Sequence, residues 1–185
     1  MNKKKANFWG VYSFKDPKVI AVLAIFSALS IVCGKYLAFN MGDTIRFSFE
    51  NLPIILSGIF FGPIAGAVVG LVADLVGCLL VGYAINPIIT LAAVLMGFLS
   101  GLIWRFSLRL PDIIKVFLTA FSCHAVCSVL IKTIGFLVYY KSPFWATLGL
   151  RSVNYLVVAT AEVLIIYLLV RNKGLMKQIK KVSER

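Results

Sequence analysis

A chain of 185 residues that is 61% hydrophobic and 14% charged lies outside the range of soluble domains, which run to about 45–50% apolar and about 25% charged. Its net charge of +12 would suit nucleic acid if the cations shared one face, but they gather at two tails and one short loop between long apolar runs. That layout excludes a nucleic-acid partner and makes the bilayer the solvent that the composition fits.

Residues 1–17 carry Lys3, Lys4, Lys5, Lys15 and Asp16 among Phe8, Trp9, Tyr12 and Phe14. No small-residue cleavage site follows this basic stretch, so a retained tail at the membrane surface is predicted. A helix that crosses about 30 Å of hydrocarbon needs about 20 apolar residues, and length and breakers then parse the rest. The predicted helices cover residues 18–39, a shorter segment 51–61 ended by Gly62-Pro63, then 64–82, 88–106, 113–140 and 148–170. Asn86-Pro87 marks the turn before the fourth helix. The expected fold is an all-α membrane protein, a six-transmembrane-helix bundle. Residues 1–17 form its tail, 18–171 the membrane domain and 172–185 a basic tail.

An even number of spans puts both termini on one side. On that side lie the cations of the two flanks together with Arg105, Arg109 and Lys115, which assigns both termini to the cytoplasm of a multi-pass cell-membrane protein. Five cations disobey: Lys35, Arg46, Lys132, Lys141 and Arg151 all fall toward the outer end. Basic side chains at membrane depth are costly, so they face a cavity or a partner, and their convergence suits an anionic solute. Snorkelling to outer headgroups or pairing with acids is the alternative, favoured for Lys141.

Gly58, Gly62, Gly66 and Gly70, with Gly97 and Gly101, recur at four-residue spacing and predict close helix packing. Ala21, Ala24 and Ala28 form a smooth strip on the first helix, either packed inside or free to dock a second membrane protein. Asp74 and Lys132 lie at similar depth and either pair or meet a solute. Arg151, Asn154 and Glu162 make a polar line on the last helix. Arg151 and Asn154 are placed to clamp a carboxylate and a ring edge, whereas Glu162 is expected to bond a neighbouring helix. Trp145, Phe144, Tyr139 and Tyr140 are interfacial anchors or stacking surfaces for a flat ligand.

Cys33, Cys78, Cys123 and Cys127 lie in apolar runs and imply no disulfides. The trio Cys123, His124 and Cys127 lacks the fourth ligand that zinc takes, so no metal and no cofactor is expected. The sequence holds no G-x-x-x-x-G-K-[ST] loop and no hydrolytic triad. The chain reads as neither an ATPase nor an enzyme.

The run from Arg46 to Asp74, RFSFENLPIILSGIFFGPIAGAVVGLVAD, resembles the substrate-binding (S) components of energy-coupling factor (ECF) vitamin transporters, folate branch. NPIITLAA from Asn86 and SPFWATL from Ser142 continue the resemblance. It implies a receptor that captures folate at the outer face and works with a transmembrane coupling (T) subunit and two cytoplasmic ATPases. It further implies that Ala24 and Ala28 contact the coupling subunit. Folate carries a flat pterin and a glutamate dianion. Lys35, Arg46, Lys132 and Arg151 would then meet its charge, Asp74 or Asn154 the pterin edge, and Trp145 its face. The alternatives are an S component for another vitamin or small solute, and a scaffold without a ligand. The aromatic N-terminal tail departs from the family pattern.

Overall fold

A computed structural model describes residues 14, 16–41, 45–107 and 109–183, so most of the N-terminal tail and the last two residues lie outside it. Five of its helices are long and apolar enough to cross a membrane: α1 (Pro17–Tyr36), α3 (Pro63–Val81), α4 (Pro87–Phe106), α5 (Asp112–Tyr140) and α6 (Phe144–Arg171). The second apolar segment, α2 (Asn51–Phe61), has 11 residues. At 1.5 Å per residue it reaches about 16 Å, roughly half a membrane. A two-stranded antiparallel hairpin, β1 (Phe39–Met41) and β2 (Ile45–Phe47), precedes α2, with Asn40 opposite Arg46. The hairpin lies in the connection between the first two predicted helices and leaves the all-α class standing, and the basic C-terminal tail forms α7 (Lys173–Ser183).

Local chemistry sets the helix ends. Asp16 caps α1 by accepting from Lys18 N at 2.9 Å, with Pro17 at the first helical position. Between α2 and α3 the backbone turns at Gly62 with φ 103°, a conformation that only glycine adopts without strain, and Pro63 opens the next helix. Asn86 accepts from Ile88 N and Ile89 N to start α4, and its amide donates to Gly135 O on α5 at 3.2 Å. Asn172 breaks α6 from α7 in the same way, accepting from Gly174 N and Leu175 N. Met176, Ile179 and Val182 of α7 then turn inward against the core. Exposed Lys173, Lys177 and Lys181 occupy the other face.

The helices alternate in direction from α1 to α6, so Pro17 and Arg171 leave at the same end of the bundle. Its tightest part is α2, α3 and α4. A Cβ added to Gly58, Gly66, Gly70 or Gly97 would collide with backbone or side-chain atoms of the facing helix, with Gly66 and Gly97 back to back. The four-residue glycine spacing thus brings backbones into contact, as small residues do in lipid. By contrast, Ala21, Ala24 and Ala28 are exposed beside Ile25 and Leu29 on the outer face of α1, so they do not pack inside.

Candidate functional site

At the end opposite Pro17 and Arg171 a cavity of about 520 Å³ opens between α1, α3, α5 and α6. Two departures from regular helix shape it. The last turn of α1, Val32–Tyr36, is π-helical and carries Lys35; in α5 the stretch His124–Ile131 is π-helical and leads into Lys132. A π turn inserts an extra residue and rotates the helix beyond it. Past that point Lys132, Phe136 and Tyr140, four residues apart, line the cavity, while Val116, Ala120 and Cys123 before it are fully buried in the core.

Of the sequence-predicted residues, Lys35, Asp74, Lys132, Arg151 and Asn154 meet in this cavity. Asp74 and Lys132 do not pair. Lys132 Nζ lies 2.7 Å from Glu50 Oε1, and Asp74 Oδ2 accepts from Thr90 Oγ1 at 2.6 Å. Arg151 donates through Nη1 to Ser128 O at 3.1 Å and lies over the Phe136 ring, 4.3 Å from its centre. That bond uses one of five guanidinium N–H groups, which leaves a fork aimed at carboxylate-type acceptors. Lys35 sits 5.2 Å above the Tyr83 ring with no acidic partner among the described residues. With Lys35, Lys132 and Arg151 against Glu50 and Asp74, the lining carries one net positive charge.

The structure does not bring Trp145 into the cavity; it is 80% exposed and packs edge-on against Phe144. The aromatic walls are instead Tyr83, Phe136, Tyr140 and Tyr155. Arg46 lies on β2, and its side chain falls outside the described residues. Lys141 is exposed in the loop before α6.

Sequence reasoning missed Glu50. It joins the hairpin to α2, its carbonyl accepts from Ser30 Oγ at 2.6 Å, and its side chain fills the space that Gly34 leaves open. A signal was present: seven acids serve 19 Lys and Arg, so an acid at the outer edge of an apolar run is a candidate partner for any buried base. Glu162, expected to bond a neighbouring helix, does so: its Oε2 lies 2.6 Å from His124 Nε2 on α5.

The family model for the ECF transporter substrate-specific component matches residues 18–170. The chain belongs to that family. It is accordingly an integral membrane subunit that binds substrate for a transporter, and not an enzyme. Among 11 solved chains that match in structure is one described as FolT bound with folic acid. The TM-score is 0.66 at 23% identity, covering 82% of this S component and 92% of that chain, which establishes a common fold. Curated protein sequences give no match.

Proposed function

We propose that this S component is the folate receptor of an ECF importer in the cell membrane. It captures folate at the outer face and delivers it with a T subunit and two ATPases. In this reading the helices α1 to α6 form the six-helix membrane domain and the end carrying Pro17 and Arg171 faces the cytoplasm, where the flanking cations belong. The cavity then faces outward.

The observation that carries the reading is the pairing of chemistries on different walls of one cavity of about 520 Å³, a size that suits a vitamin-sized ligand. The uncommitted donors of Arg151, with Lys35, match the glutamate dianion. Asp74, with one hydrogen bond from Thr90, and Asn154 match the donors and acceptors at the pterin edge. Phe136, Tyr140 and Tyr155 offer faces and edges to a flat ring. The shared fold with a chain bound to folic acid supports the same choice.

The test is calorimetric titration of the purified protein with folic acid, riboflavin, thiamine and biotin. Folic acid alone should bind tightly, and Arg151→Ala and Asp74→Ala should each weaken it. Tight binding of another vitamin, or folic acid binding indifferent to Arg151, Asp74 and Asn154 alike, overturns the assignment.

A further inference from the structure

Three polar side chains of α6 share one stripe that faces α5. Arg151, Tyr155 and Glu162 are spaced by four and seven residues, which places them on the same face, with Val158 and Ala159 buried between. Yet α6 is the least buried of the five long helices, and no glycine on it makes backbone contact: a Cβ on Gly149 would meet nothing within 4 Å. Apolar side chains specify rotation poorly in lipid, because hydrocarbon tails are as apolar as leucine. Something else must fix the face that α6 turns inward.

The buried polar contact between the two helices is His124 with Glu162, exposed by 2% and 0%. His124 Nδ1 also meets Ser128 Oγ at 3.2 Å, which anchors the imidazole from its other side, and Asn51 Nδ2 reaches the same hydroxyl at 3.4 Å from α2. Tyr155 stacks on the imidazole, ring centres 5.2 Å apart and planes inclined by 28°. One turn further toward the cavity, Arg151 spans the Tyr155 and Phe136 rings and bonds Ser128 O. Rotating or sliding α6 would break the His124–Glu162 bond and carry the guanidinium off its acceptor together.

We infer that His124 and Glu162 are positioning residues: their buried bond sets the rotation of α6 against α5 and thereby aims Arg151 into the substrate cavity. A buried polar pair that selects one register among near-equal apolar ones is the best-attested use of such pairs. The inference rests on the proposed role of Arg151, about 16 Å from Glu162 along the helix at 1.5 Å per residue.

Glu162→Leu removes the partner of His124 Nε2, whereas Glu162→Gln keeps an acceptor for it. Two readouts test the difference. Without ligand, spin labels at exposed Val138 and Val153, in a chain with Cys33→Ser, report the α5–α6 distance distribution; it should shift or broaden in Glu162→Leu and return with Glu162→Gln. With folic acid, Glu162→Leu should raise Kd on the order of tenfold, and Glu162→Leu/Arg151→Ala should be no weaker than Arg151→Ala within about twofold, because both changes remove one interaction. An unchanged distance distribution in Glu162→Leu, or losses that multiply in the double variant, overturns the inference. A shifted distribution in a protein that does not bind folic acid upholds the register and overturns the folate assignment alone.

Discussion

Glu50 and Lys132, 82 residues apart in the chain, meet at 2.7 Å on the floor of the cavity and join the hairpin to α5. The lysine side chain is 7% exposed and the carboxylate 29%, so the pair is sheltered on one side and reached by solvent on the other. Removing one partner of a fully buried pair costs about 3–5 kcal/mol, and the half-open carboxylate lowers this to about 2 kcal/mol. Lys132→Met should therefore lower thermal stability, and Glu50→Gln/Lys132→Met should recover part of the loss. Denaturation of the purified variants checks both. An additive double variant would mean that the pair contributes nothing as a pair.

Gly34 makes this contact possible. A Cβ there would fall 2.8 Å from Glu50 Cβ and 2.9 Å from Oε2. Gly34→Ala is expected to displace Glu50 and release Lys132, which lowers stability even though alanine favours helix. Stability equal to the parent protein would show that Glu50 has room elsewhere.

The glycines of the bundle should divide sharply. A Cβ on Gly97 meets the Gly66 carbonyl, backbone that cannot yield, so Gly97→Ala should cost about 3 kcal/mol or reduce expression of folded protein. Gly149→Ala meets nothing and should gain about 0.5–1 kcal/mol from helix propensity. Parallel thermal unfolding in detergent distinguishes them.

Arg151→Lys keeps the positive charge and loses the planar fork that rests on Phe136. Folic acid affinity should fall on the order of tenfold, the scale of one charged hydrogen bond. Affinity equal to the parent would mean that a point charge is all this wall supplies.

Ala24 and Ala28 face outward, away from the core and the cavity. Replacing both with tryptophan should leave folding and folic acid titration intact while abolishing copurification with the T subunit and ATPases. Retained copurification would move the docking face elsewhere.

The sequence made the long helices legible because lipid imposes a length and glycine-proline pairs impose ends. Residues 51–61 coincide with the predicted segment, and α3, α4 and α5 begin within a residue of expectation. The hairpin was missed because two runs of three strand residues carry no periodicity worth reading. The C-terminal helix was missed because its cations masked the inward row Met176, Ile179 and Val182. In the cavity, Lys35, Asp74, Arg151 and Asn154 announced themselves as polar groups in apolar runs. Trp145 misled, since an aromatic near a helix start suits an interface as well as a ligand. The two π-helical stretches have no composition signature, yet they determine which residues of α1 and α5 reach the cavity.

The backbone contacts among α2, α3 and α4 also govern where this sequence can diverge. The glycines that meet across that triad accept almost no change, since even one methyl group has nowhere to go. The cavity side chains of α6 ride on a helix whose packing leaves wide freedom of choice. A lineage built on this plan can exchange the residues that select its cargo, one helix at a time, while the scaffold beneath them stays the same.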